Sequence, residues 1–234
     1  KTADQFVKRN VGQRIDPALI LHDPHGVRTG QRFRRLLIGI FQLGKLIIQS
    51  VVNTQGVAVM AAFTAVNRVD DFAYTPQQNI GHAMTTFLAQ NKGAGHKERM
   101  KKGFQTGLLI ELVYSIGLFC VIWGLAPQIM TLFAEDGDAQ VVSLGISYLH
   151  LISWMYILPG LTNGVQGFFR GIGDLKVTLY STFMNMFGRV VAVFVMIRLL
   201  QMEFASLAWA NMVGWIVMLL FEVPLLVKSM RNGE

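Results

Sequence analysis

Charged side chains stand inside stretches that are otherwise apolar: Arg68, Asp70 and Asp71 in AVNRVDDFAY, Glu111 in GLLIELVY and Arg189 in FGRVVAV. At the centre of a bilayer each would cost ~2.5 to 3.5 kcal/mol on insertion scales. Such a cost marks a water-filled path, a paired structural site or a position at interfacial depth. Arg68 and Asp71, three apart on one helix, fit an internal salt bridge near the membrane surface. Asp70 points away from Asp71, toward a neighbouring helix or the interface. Catalytic constellations are missing: the chain has no HExxH, GxSxG, P-loop or CxxC. His22 and His25 form an HxxH with no carboxylate or cysteine at ligand spacing, so they read as solvated loop residues and no metal is expected. An intramembrane hydrolase using His82 and His150 is the alternative from another class; otherwise the chain is not an enzyme.

The element that must position the first three charges runs from Asn53 to Gly95. Laid on a helix, Thr64, Asn67, Asp71, Tyr74, Thr75, Gln78, His82 and Thr85 fall within an arc of about 100°. Val69, Phe72, Ala73, Ile80, Ala83 and Phe87 fall opposite. One face is polar and the other oily, so the meaning of the helix depends on its solvent.

Composition decides that solvent. The chain of 234 residues is 52% hydrophobic and only 15% charged, well to the apolar side of soluble proteins. Apolar runs at 36–52, 103–126, 141–169, 177–200 and 204–227 each approach the ~20 residues that cross a bilayer. With the striped helix they predict an all-α membrane protein of six transmembrane helices. The net charge of +7 could suggest nucleic acid, but every second connection carries it. Lys1 to Arg35, Lys92 to Lys102, Arg170 with Lys176, and Lys228 with Arg231 alternate with connections holding Glu135, Asp136, Asp138 and Glu203. This positive-inside pattern places both ends in the cytoplasm of a multi-pass protein of the cell (plasma or inner) membrane, with no nucleic-acid partner.

Residues 1–35 read as a polar cytoplasmic linker or aberrant lead-in, and 36–230 as the six-helix lobe. The first span carries Gln42, Lys45 and Gln49, as a cavity-lining helix or a poor span would. Asn53 to Gly56 makes a tight extracellular turn. The second element, from about Val57 to Asn91, is expected to kink at Pro76 and to end at Gly93 and Gly95. The third span runs to about Gly124, followed by a short surface helix, Ala126 to Ala134, opened by proline. Cys120 reads as a small buried hydrophobe. The fourth span, roughly 139–170, contains two GxxxG pairs, Gly160 with Gly164 and Gly167 with Gly171, read as packing surfaces. The fifth places Asn185 and Arg189 one turn apart; the sixth carries Glu222 near its cytoplasmic end and is otherwise plain. The chain begins with Lys, and is read as a fragment or as having lost its true start.

Two motifs carry a resemblance. Asn53 and Gly56, the alanine pair Ala61 and Ala62, and the run Ala89, Gln90, Asn91, Gly93, Ala94, Gly95 resemble the junction of the seventh and eighth helices of multidrug and toxic compound extrusion (MATE) transporters. Phe169, Arg170, Gly171, Gly173 and Asp174 are similar to that family's L-R-G-x-G-D after the tenth helix. The resemblance covers about residues 45–230 and implies the C-terminal lobe of a twelve-helix fold. It implies a cation-coupled antiporter, driven by H+ or Na+ and without other cofactors, that exports organic cations by alternating access. The partners would be the lipid bilayer, an N-terminal six-helix lobe and small, cationic organic substrates held by aromatic and Met side chains with a few acids. On this likeness Asn67, Asp71, Tyr74, Gln78, His82, Thr85, Asn163, Gln166 and Asn185 line the cavity. Asp70, Asp71 and Glu111 are the candidates for ion coupling.

This sequence departs from the family pattern twice. Some branches place a cation-binding acid in the first and fourth helices of this lobe, but 36–52 and 141–169 contain no Asp or Glu. Residues 1–44 lack the usual apolar helix start, as expected if an upstream deletion or frame shift joined unrelated sequence near residue 40. The alternatives carried forward are a flippase for lipid-linked saccharides of the same superfamily and a truncated, non-transporting remnant.

Overall fold

Long apolar runs broken only by glycine and proline build helices, and in the computed structural model every ordered element among the described residues is helical. The structure describes residues 42–133, 138–198 and 204–232, together with the helical Arg35 and Gly39. The readings made for residues 1–34, including His22 and His25, and for Glu135, Asp136 and Glu203 lie outside the described residues. The chain divides into two compact units, 1–39 and 40–234, and the second holds the long helices.

A helical segment over 42–53 leads into a turn closed by Thr54 N–H to the Val51 carbonyl and Gln55 N–H to that of Val52. Gly56, at φ 100°, adopts the left-handed backbone there. Helix α1 spans Val57–Gly93 and α2 Lys97–Phe133, each about 55 Å long at 1.5 Å per residue. Then come α3 (Ala139–Ser153), capped by the Asp138 side chain on Gln140 N–H, a 3₁₀ turn at Trp154–Tyr156 and α4 (Ile157–Ile172). Helices α5 (Leu175–Arg198) and α6 (Ala205–Asn232) form the closing hairpin. Helix α2, α3 joined through the turn to α4, α5 and α6 are long and apolar enough to cross a membrane. Helix α1 has the length, but Arg68, Asp70 and Asp71 stand together in its first half.

Several expected boundaries move. Gly93 is still helical; the left-handed residue that ends α1 is Gly95, at φ 74°. Its N–H bonds the Lys92 carbonyl and that of His96 bonds Asn91, a Schellman ending. Pro76 lies inside the uninterrupted α1, as does Pro127 inside α2. No separate surface helix follows Gly124, because Ala126 and Met130 are fully buried and hold the last turns of α2 against α3 at Gly145. Cys120 is exposed, on a helix whose apolar window is mostly unburied because it faces outward. The fourth span is broken at its centre by the 3₁₀ turn, where Pro159 has no N–H to offer the Met155 carbonyl. Glu222 sits well inside α6, which runs on to Asn232.

Packing follows the glycines. A Cβ at Gly167 would lie 2.8 Å from the Gly81 carbonyl, and one at Gly171 would lie 2.6 Å from the Leu88 Cβ. Helices α1 and α4 therefore touch backbone to backbone, as the GxxxG pairs predict. Two apolar clusters result. One gathers Val52, Val66, Ile122, Met130, Leu149 and Leu207; the other gathers Met84, Leu88, Phe104, Phe168, Phe169 and Leu226. Between the two clusters the long helices carry residues that are polar and buried, among them Gln77, Glu111, Ser115, Thr162, Ser181, Asn185 and Glu222. A polar band thus crosses the lobe at mid-depth.

Candidate functional site

The band is assembled around the break between α3 and α4. Tyr156 ends the 3₁₀ turn, and its hydroxyl donates to the carboxylate of Asp70 on α1. Its carbonyl, at the interruption of the helix, accepts from Gln77 Nε2 at 3.0 Å and from Ser115 Oγ at 3.3 Å. One residue therefore ties α1, α2 and the broken helix together. Around Asp70, Tyr74 packs edge-on to Tyr156 with ring centroids 5.4 Å apart, while Arg189 on α5, half-buried, supplies a positive charge near Asp70, Tyr74 and Tyr148. The Arg189 Nε makes no hydrogen bond.

A second station lies below it. Gln77 and Glu111 have no exposed surface, and Gln77 Nε2 also donates to Ser115 Oγ at 3.0 Å. Gln77 Oε1 and both Glu111 carboxylate oxygens are left without partners. A Cβ at Gly160 would meet Ser115 Oγ at 2.8 Å, Gln77 Nε2 at 3.2 Å and Glu111 Oε2 at 3.4 Å. The absence of a side chain at Gly160 thus lets Ser115, Gln77 and Glu111 converge on one spot that is rich in unpartnered acceptor oxygens. In a third station the Glu222 carboxylate faces Ser181, Gln166 and the Arg170 guanidinium without closing a hydrogen bond. Gln166 Nε2 reaches Ser181 Oγ at 3.3 Å.

The expected cavity residues separate into two groups. Asp71, Gln78 and His82 are exposed along one side of α1, with Asn67, Tyr74 and Thr85 half-buried at its edge. Gln166 and Asn185 are buried within the lobe, and Asn163 is half-buried, its carbonyl 3.0 Å from a Cβ placed on Gly81. Of the ion-coupling candidates, Asp70 and Glu111 belong to the buried band and Asp71 does not. The packed face of α1 is centred between the polar stripe and the oily one, overlapping the oily one at Val69 and Ala73. It also carries Ala62, Val66, Asp70, Gln77 and Gly81. Arg68 lines a cleft of about 630 Å³ at the other end of the lobe, with Asp138. His150 stacks on Trp123 at 4.5 Å, far along the fold from the exposed His82 near the Gly81 contact, so the two form no pair.

Both sequence motifs become helix endings that meet. Gly173, at φ 87°, closes α4 as Gly95 closes α1: its N–H bonds the Arg170 carbonyl, and that of Asp174 bonds Phe169. Lys92 Nζ then donates to the Ile172 carbonyl at 2.6 Å, joining the two endings. Asn91 is buried and bonds back to the Phe87 carbonyl, whereas Gln90 and Gly93 are exposed. Asn53, in the first turn, accepts from Gln49 Nε2 at 3.0 Å. Tyr156, Gln77, Ser115 and Glu222 were not among the expected site residues. Pro159, three residues after Tyr156, was the signal that a helix break lay nearby.

Alongside this geometry, comparison with known proteins is specific. The family model MatE matches residues 38–195. The chain is 29% identical over 136 residues to the "Probable multidrug resistance protein YpnP" of Bacillus subtilis (strain 168), a match covering 58% of this chain and 30% of that one. Its fold is similar to the outward-facing conformation of a multidrug resistance MATE family transporter of the MOP superfamily, with a TM-score of 0.76, 18% identity, and coverage of 81% of this chain and 42% of that chain. An inward-facing conformation of such a transporter matches with a TM-score of 0.73 and 18% identity over 77% of this chain and 41% of that chain. The chain thus spans less than half the length of the proteins it matches.

Proposed function

This chain belongs to the MatE family of membrane transporters, and from that premise we propose that it forms the C-terminal lobe of a cation-coupled exporter of organic cations. A second six-helix lobe completes the pathway, with the exposed Asp71, Gln78 and His82 stripe of α1 facing the space between them. The basic ends of the lobe lie on the cytoplasmic side of the cell membrane. The observation that carries the reading is the buried Asp70, bonded to Tyr156 at the break of a discontinuous helix. Half-helices meeting at mid-depth are where transporters build ion and substrate sites.

In this mechanism Asp70 exchanges its tie to Tyr156 for a proton or a sodium ion. Because Tyr156 also anchors α1 and α2 through its carbonyl, loading Asp70 alters the bonds that fix the break. The lobe otherwise moves as a unit, which accords with its similar likeness to outward-facing and inward-facing transporters. Aromatic and Met side chains beside the stripe hold the substrate cation, and Asp71 supplies its counter-charge.

The test is drug resistance in cells carrying the full-length gene, at matched protein levels. Asp70→Asn, Asp71→Asn and Gln78→Ala should each lower resistance to an organic cation, Asp70→Asn by about tenfold or more. Wild-type resistance in all three would remove both the buried acid and the stripe from the mechanism.

A further inference from the structure

On the side of α1 away from the polar stripe, α1 and α2 part to leave an elongated groove of about 620 Å³. Its walls are Ile80, Ala83 and Phe87 on α1 and Ile110 on α2, and at one end stand Arg99 and Lys102. Two glycines of α2 form its floor, where side chains of α1 rest directly on the α2 backbone. A Cβ at Gly103 would strike the Phe87 ring, and one at Gly107 would strike Met84 Sδ. Arg99 and Lys102, both exposed, lie three apart in the first two turns of α2, so they share one side and sit at the positive end of the helix dipole. From Lys102 to Ile110 the groove descends about 12 Å along the helix. That is the separation between a lipid phosphate and the first part of its acyl chain.

We propose that this groove is a binding site for one anionic phospholipid. The phosphodiester lies between Arg99 and Lys102, and an acyl chain runs along the outer side of the Phe87 ring toward Ala83 and Ile110. Charge complementarity selects the headgroup and the apolar walls select a chain. The two features together suit an amphiphile, and the groove opens beside Leu109, Val113 and Ile116, apolar residues of α2 left uncovered. The neighbouring groove on the other side of α2 holds Lys97, Lys101 and Arg231 but also Glu98. Its mixed charge distinguishes it from the first. The lipid would brace the α1–α2 pair at the end where the α1 ending meets α4.

The test is lipid retention by the purified full-length protein, measured by native mass spectrometry with dioleoyl phosphatidylglycerol against dioleoyl phosphatidylcholine. The wild type should retain one phosphatidylglycerol selectively. The double variant R99Q/K102Q should weaken that binding by roughly thirtyfold, from the ordinary contribution of two basic residues at a membrane surface. K97Q/K101Q removes the same charge from the adjoining face and should leave it intact. Ala83→Phe fills the groove at an exposed position and should also abolish retention. Equal retention of both lipids, equal loss in the two double variants, retention unaffected by Ala83→Phe, or a change in oligomeric state with no dependence on phosphatidylglycerol would each overturn the site.

Discussion

Asp70 and Asp71 are adjacent in sequence, yet one is sealed against Tyr156 and the other stands in the open. Helical geometry alone separates them by about 100°, and the packed face of α1 falls on the Asp70 side. Their substitutions should therefore differ. Tyr156→Phe leaves a buried carboxylate without its donor and should cost about 1 to 3 kcal/mol of stability in a detergent unfolding assay, whereas Asp71→Asn should change it by less than about 0.5 kcal/mol. Glu111 gives the opposite expectation. Its oxygens and that of Gln77 are unpartnered acceptors around one pocket, so Glu111→Gln, which brings an N–H, should preserve or raise thermal stability. A fall of more than about 1 kcal/mol would mean that the carboxylate is needed there as an acceptor. The acids themselves were legible in the sequence as charges in apolar runs. Their partners were not, because a tyrosine or glutamine within a span has no periodicity that reveals what it faces.

At the scale of elements, apolar runs were enough to locate the described helices, and the two glycine-ended motifs marked the endings of α1 and α4. Errors came from proline. Pro127 reads as a helix start but is carried inside α2 by the burial of Ala126 and Met130, while Pro159 accompanies a break that reorganises the centre of the lobe. At Pro159 the break is pinned from outside the helix, since Gln77 and Ser115 both bond the neighbouring Tyr156 carbonyl. Glycines sort in the same way. Gly167→Ala places a methyl against the Gly81 backbone and should destabilise the lobe by about 1 to 3 kcal/mol. Gly117→Ala, where a Cβ meets nothing within 4 Å, should leave it unchanged or add up to about 1 kcal/mol. Thermal unfolding of the two variants side by side checks the α1–α4 contact.

For the whole molecule, the arrangement of two apolar clusters around a buried polar band follows a simple constraint. Apolar residues at both ends let the helices pack, and the costly polar groups are gathered where they can satisfy or nearly satisfy one another. The all-helical, apolar outline was readable from composition; the band was not, since it is made by residues from five helices whose depths agree only after folding. Its proposed role is to convert the loading of Asp70 into a change at the helix break. Ion-driven export of an organic cation by the full-length protein in proteoliposomes, comparing wild type with Asp70→Asn, tests this directly. Coupled transport should disappear in Asp70→Asn while substrate still binds; ion-driven transport at the wild-type rate in that variant would contradict the account.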